Sequence, residues 1–326
     1  MPTDLPASSR VLIEARLRPM QGTRFQPTGF PDIGAATYRL ADGTEMLLVE
    51  SPQSIANRLE AVCWDEAASE LVAPLRGLPY VRVLQDGQFL TSSIQEAHRL
   101  NSVYIEKSDG FGRITEEIGH TEPMDRRKLA RALLKLDPNS LVHGTFLESI
   151  SGTLRLSRAV SGFIEASGVQ VVASGGVKND RVSAATDAEG GGGTAKDGFG
   201  NVPFHRDEYA AAQLVAYLNI DLSQLRSYGF DAHETRFLFV LTLWKVQRFL
   251  AEGLRLRTAC DLDVVDIRVS RPDGWTLPAL SVLEAEVHGL IEQLGASGAF
   301  ARPPITEVSY SPAGGAAKKP KPGKKV

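Results

Sequence analysis

Residues Val169–Val182 read Val-Gln-Val-Val-Ala-Ser-Gly-Gly-Val-Lys-Asn-Asp-Arg-Val, an apolar strand that runs into a glycine pair with Lys178, Asn179 and Arg181 close behind. Adjacent glycines let a backbone approach a ligand and turn its amides toward anionic oxygens, while the neighbouring cations supply charge. Ser174, Gly175 and Gly176 therefore form a candidate anion-holding turn after a strand. The alternative is an ordinary hairpin turn with a solvated basic tip.

A second strand leads to a similar feature. Val11, Ile13, Ala15 and Leu17 alternate with Leu12, Glu14, Arg16 and Arg18, the period-two pattern of a half-buried strand over Arg10–Leu17. It feeds a polar loop, Arg18, Gln21, Gly22, Thr23, Arg24, Phe25 and Gln26, in which two arginines bracket a glycine. Phe25 is expected to offer a ring face for base stacking.

With 326 residues, 43% of them hydrophobic, the chain has room for a substantial core in one elaborated domain or two small ones. No run approaches the roughly 18 apolar residues of a membrane helix, and the start Met-Pro-Thr-Asp-Leu-Pro lacks a signal peptide's basic and apolar regions. The expected location is the cytoplasm, without a membrane partner. Cys63 and Cys260, the only cysteines, provide neither a disulfide scaffold nor a four-thiolate zinc site. The net charge is −3, and without the five lysines of the tail 31 basic residues face 39 acidic ones, a net of −8. Any nucleic-acid contact must then be a local patch.

Ser51 and Pro52 read as an N-cap and first helical residue, with Ile55, Leu59, Val62 and Cys63 on one face. Ser93 and Glu96 suggest a capping box opening a second helix to about Val103, and Leu129, Ala132, Leu133 and Leu136 mark a third after Asp125. Arg126, Arg127, Lys128 and Arg131 form its solvated face. An apolar run over Gln213–Leu222, a helix over His233–Leu250 and a strand over Asp261–Val269 follow in βαβ order. The helix is apolar nearly all round and should be buried. Segment order alone does not separate a ferredoxin-like core from a small doubly wound sheet. Residues 183–203 are a Gly-rich insertion unable to pack a core, and 311–326 a Lys-rich disordered tail whose nucleic-acid affinity would be weak and salt-sensitive.

There is no Walker A sequence, no Gly-x-Gly-x-x-Gly between strand and helix, no His-Glu-x-x-His and no Gly-x-Ser-x-Gly. None of the six histidines stands four residues from another, so no metal site is expected, and no cofactor. His143 and His205, beside turn residues, read as structural or as RNA contacts. Arg155 and Arg158 lie in a strand-like stretch, Leu154–Glu165. If it pairs with the strand entering the Gly-Gly turn, they border the same groove as Lys178 and Arg181; otherwise they are exposed strand arginines paired with Glu148 or Glu165.

Five blocks, Arg18–Gly34, Ser54–Val62, Asp137–Gly144, Ser174–Val182 and Asn219–Gly229, resemble in order the backbone subunit of the type I-U (I-G) CRISPR effector complex, or Cascade, of the RAMP superfamily. The resemblance spans most of the chain; the glycine tract near 190 and the lysine tail look particular to it. It implies an α+β fold, a modified ferredoxin-like or RRM-like core with long thumb and finger-like insertions, forming one guide-RNA-binding domain over 1–310. The insertion at 183–203 is the candidate thumb. The implied RNA-binding residues are Arg18, Gln21, Gly22, Thr23, Arg24, Phe25, Gln26, Asn57, Arg58, Arg155, Arg158, Ser174, Gly175, Gly176, Lys178, Asn179 and Arg181. Implied partners are CRISPR guide RNA, target DNA through guide pairing, copies of the chain in a head-to-tail filament, a large subunit, a guide-processing subunit and a helicase-nuclease. No catalytic residue is expected. The alternative is a metal-dependent ribonuclease using loop carboxylates such as Asp180, Asp187 or Asp197, and a more distant one a sugar-phosphate-binding enzyme.

Overall fold

The computed structural model describes residues 3–30, 32–119, 125–151, 155–178 and 202–312. Most of the insertion, the tail beyond Pro312, Asn179, Arg181 and the loop carboxylates Asp180, Asp187 and Asp197 lie outside the described residues.

The principal sheet is built from β1 (Arg10–Pro19), β2 (Thr37–Arg39), β3 (Glu45–Glu50), β4 (Val160–Ser167), β7 (Gln213–Asp221), β8 (Arg255–Arg257) and β9 (Cys260–Arg271), with β5 (Gln170–Lys178) and β6 (Val202–Ala210) continuing β4 and β7 outward. Its order is β8-β9-β1-β7-β4-β3-β2, and every neighbouring pair is antiparallel. β7 and β9 therefore run parallel to each other on either side of β1, and β1 and β4 do so on either side of β7. The fold is mixed α+β.

Register follows from burial. Val11, Ile13, Ala15 and Leu17 of β1 stand opposite Ile220, Leu218, Ala216 and Leu214 of β7, so both strands turn their apolar alternates to one face. A one-residue slip would send all of them to solvent. That face is covered by α1 (Pro52–Ala61) and α3 (Ala232–Glu252), with α4 (Leu280–Ser297) packed along α3. The α3 helix is buried on almost every side, Phe237, Phe239, Trp244 and Phe249 all fully, because it lies between the sheet and the outer helix. Each such side chain contributes on the order of 1.5–3 kcal/mol by leaving water.

Local signals explain the helix starts. The Ser51 side chain accepts from Ser54 N with Pro52 in the first turn, Asp125 caps α2 (Arg126–Leu136), and Asp231 and Glu234 close a reciprocal capping box on α3. The helix expected over 93–103 does not form. Ser93 Oγ accepts from Val81 N, and Glu96 accepts from Thr91 and Ser102, so the capping-box residues tie a strand end to a short turn instead. Only Arg99–Asn101 and Val103–Glu106 are helical there.

The glycine pair is the second correction. Gly175 and Gly176 do not make a turn: β5 continues through them to Lys178, with Gly175 opposite His205 and Gly176 opposite Phe204 on β6. The glycines are needed for close strand approach. A Cβ at Gly175 would lie 2.3 Å from the Phe204 carbonyl oxygen, and at Gly176 it would meet the Phe204 ring at 3.2 Å. β5 and β6 thus form a two-stranded arm that prolongs the β4–β7 hairpin beyond the sheet.

Candidate functional site

The loop after β1 is anchored at both strands that flank its base. Met20 N donates to Asp261 O at 2.8 Å and Gln26 N to Ala259 O at 2.8 Å, holding it to the β8–β9 hairpin. Phe25 and Tyr209 exchange backbone hydrogen bonds of 2.8 and 3.0 Å, holding it to the base of the arm. Thr28 N then reaches Val49 O at 2.9 Å. The backbone bridge draws the Phe25 ring into the core, where it is 1% exposed, so the expected stacking face is not presented.

Between loop and arm lies an open cleft of about 540 Å³ lined by Met20–Arg24, Glu208, Arg255, Ala259 and Asp261. Arg18, Gln21, Gly22, Thr23 and Arg24 are exposed, and Gly22 takes φ +69°, a conformation that favours glycine. Arg18 pairs with Asp263 at 2.9 Å, Arg24 with Glu208 at 3.1 Å and Arg255 with Asp261 at 3.5 Å. Glu208 is buried by its neighbours; burial pushes its carboxyl up, but hydrogen bonds from Arg206 and Ser174 and the charges of Arg206 and Arg24 outweigh this and hold it below the usual range. Arg18 and Arg255 are therefore held in exposed pairs worth under about 1 kcal/mol each, which a phosphate can displace, whereas Arg24 reaches from solvent to a buried partner. Gln26 is half-buried, and its Oε1 has no hydrogen-bond partner among the described residues.

A buried carboxylate clamps this loop from below. Glu50, fully buried, accepts from Arg58 Nε at 2.7 Å and from Ser54 on one oxygen, and from Arg257 on the other. Arg257 also donates to Gln26 O at 3.0 Å, and Arg58 to the β8 carbonyls of Arg255 and Leu256. Arg58, a sequence candidate, is thus tied into the scaffold rather than presented. Asn57 is exposed on α1, its Oδ1 accepting from Gln53.

The single groove expected to join Arg155 and Arg158 to the Gly-Gly segment is not formed. Both precede β4, whereas the arm leaves from its other end; the eight-residue strand between them spans roughly 23 Å. Arg155 belongs to a two-residue bridge with Phe146 and stacks its guanidinium 4.4 Å from that ring, while Arg158 bonds Gln53 on α1. Among the described residues, neither pairs with Glu148 or Glu165 in an ion pair.

His205 is exposed on the arm, 3.9 Å from Asp207, whereas His143 is buried at the end of the short helix Asn139–His143. It belongs to a polar network that the sequence pattern did not disclose. Arg99 Nε and Nη2 each donate to Glu60 at 2.7 Å, Asn139 Nδ2 donates to Glu60 at 2.6 Å, and Lys245 Nζ contacts Asn139 and lies 3.0 Å from His143 Nε2. Burial, then the nearby Lys245 and Arg99, press the His143 pKa well down; burial pushes Asp137 up to about 6. The available signal was Lys245 itself, a cation within an apolar helix. Among the described residues no cluster of three or more His, Cys, Asp or Glu could hold a metal ion, and no helix is long and apolar enough to cross a membrane.

Residues 11–171 match the family model described as CRISPR-associated protein GSU0053. The class is that of CRISPR-associated proteins, as the five sequence blocks indicated. The matched stretch, just under half of the chain, runs from β1 into the arm. No curated protein matches. Among solved structures, a chain of "CRISPR RNA-guided surveillance complex, pre-nicking" is 16% identical with a TM-score of 0.39, over 88% of this chain and 89% of that one. A chain of another "CRISPR RNA-guided surveillance complex" is 16% identical with a TM-score of 0.37, over 87% and 84%. Csc2 of Thermofilum pendens is 11% identical with a TM-score of 0.32, over 88% and 78%. At such scores the identification stands on the family match.

Proposed function

We propose that the chain is a non-catalytic backbone subunit of a type I CRISPR effector complex, of the RAMP superfamily, that polymerises along guide RNA. The observation that carries this reading is the polar loop after β1, pinned by the Phe25–Tyr209 backbone bridge to the base of a projecting two-stranded arm. The loop presents exposed Arg18, Gln21, Thr23 and Arg24, and Arg24 pairs with Glu208 on the arm. Such a groove suits a sugar-phosphate backbone and leaves bases free to pair with target DNA.

The sheet order supports a ferredoxin-like core. Taken as β1, β4, β7 and β9, the central strands stand in the order fourth, first, third, second, with α1 following the first and α3 linking the third to the fourth. The arm then occupies the hairpin between second and third strands, the place of a thumb. Growth along RNA requires two different complementary surfaces and a head-to-tail contact. A large subunit, a guide-processing subunit and a helicase-nuclease complete the proposed set of partners, and the cytoplasm is the proposed location.

The test is binding of a CRISPR guide by wild type and by a variant combining Arg18→Ala and Arg24→Ala, followed against salt. The salt slope should fall by about 0.7 for every phosphate left without its arginine. Guide recovered intact after incubation with Mg²⁺ would agree with a non-catalytic role. An unchanged affinity and slope would remove the loop from the interface, and cleavage of the guide would reverse the assignment.

A further inference from the structure

A second cleft, about 560 Å³, opens at the start of β4 between Ala97–Arg99, His143–Phe146 and Arg155–Arg158. Its chemistry differs from that of the loop–arm cleft. Glu208 and Asp261 balance the arginines there, whereas this lining holds three arginines, two histidines and no carboxylate. The charge of Arg99 is met from behind by Glu60, but Arg155 and Arg158 have no carboxylate partner among the described residues. Arg155 lies over the Phe146 ring, and crowding by Arg99 adds to burial in lowering the Arg158 pKa.

Two hydrogen-bonding groups of the lining are also unmatched. His143 is 1% exposed and Thr145 5%, and neither His143 Nδ1 nor Thr145 Oγ1 has a partner among the described residues. The tautomer follows from Lys245: an ammonium only donates, so the His143 Nε2 3.0 Å away accepts and Nδ1 carries the proton. Unmatched buried donors beside unpaired guanidiniums call for a ligand rich in acceptor oxygens. Phe146 adds a ring on which a base can stack once Arg155 swings onto phosphate.

We propose that this cleft holds one nucleotide of single-stranded RNA, with its phosphate between Arg155 and Arg158 and its base against Phe146. The choice of RNA rests on the function proposed above, but the cleft is spatially separate from the loop–arm groove. A fluorescein-labelled 15-residue oligouridylate, titrated into purified protein over a salt series, reads both sites. Combining Arg155→Ala with Arg158→Ala should weaken binding at least about tenfold and lower the salt slope by about 1.4, two single-strand phosphate contacts. Lysine at both positions should restore the slope but not the full affinity, because the planar fork is absent. Phe146→Leu should weaken binding with the slope unchanged.

Several results would overturn the proposal. Wild-type affinity and slope in the double alanine variant would do so, as would an equal fall in slope for Phe146→Leu. Unchanged RNA binding with impaired self-association would show that the cleft receives acidic groups of another copy. Saturable binding of inorganic phosphate that does not compete with the oligonucleotide would make it a free-anion site. If the double alanine variant binds normally while Arg18→Ala with Arg24→Ala does not, only the cleft fails; if wild type binds no RNA, the proposed function fails with it.

Discussion

Replacing Glu50 with alanine should destabilise the protein and loosen the loop after β1 together. Glu50 is fully buried, and the two guanidiniums on it, Arg58 and Arg257, are each only 25% exposed. Removing the shared carboxylate leaves both cations partly buried without a counter-charge, and breaking such a buried pair typically costs about 3–5 kcal/mol. With an unfolding entropy of about 2.1 cal/mol/K per residue over this length, Tm should fall by about 4–7 °C. Arg257 also carries Gln26 O and Val49 O, so hydrogen exchange across residues 20–28 should rise more than the global loss accounts for. Thermal unfolding and exchange mass spectrometry read the two effects separately. A triple variant, Glu50→Leu with Arg58→Met and Arg257→Met, should recover most of the stability but not the loop protection. A Tm within about 1.5 °C of wild type in Glu50→Ala, or loop exchange unchanged in the triple variant, would refute the clamp.

Three further outcomes follow from the geometry. The raised Asp137 pKa, about 6, means that the folded state holds its proton where the unfolded state has released it. Stability from this group is therefore greatest below about pH 4 and falls by about 3 kcal/mol as pH rises through 6. The depressed His143 pKa acts in the opposite sense, costing stability as pH drops below about 6.5, so the two oppose each other. Asp137→Asn should expose the histidine effect, its stability deficit against wild type growing from pH 7 to pH 4 in urea titrations; parallel profiles would contradict this. Gly175→Val should unzip the arm, raising proteolysis within 170–210 while the far-UV circular dichroism and Tm change little, since its Cβ meets the β6 backbone at 2.3 Å. Lys245→Met should cost less than Glu60→Gln, which strips the buried Arg99 of its ionic partner; the reverse order would count against the network as described.

Elements whose signals are local could be read in the chain. The alternation of Val11, Ile13, Ala15 and Leu17, the Ser51–Pro52 start, the Asp125 cap and the all-round apolar helix each depend on residues within one or two turns or a single strand. What escaped reading depends on distant pairing. Whether Gly175 and Gly176 turn or extend is decided by β6, some thirty residues on, and the burial of Phe25 by its bridge to Tyr209. Arg155 and Arg158 fell outside the expected groove because the strand that follows them, Val160–Ser167, pairs with β7 and β3 rather than with β5, which leaves these arginines at the far end. Ser93 and Glu96 satisfied a helix-cap pattern while their side chains served strand and turn, an ambiguity that spacing alone does not resolve.

The most direct measurement is size-exclusion chromatography of the protein co-expressed with a CRISPR array and its neighbouring operon, followed by absorbance at 260 and 280 nm and sequencing of bound RNA. A guide-RNA backbone subunit elutes as a high-mass ribonucleoprotein carrying repeat-derived guides, and the Arg18 and Arg24 variants come through without them. A folded, RNA-free protein under the same co-expression would contradict the account.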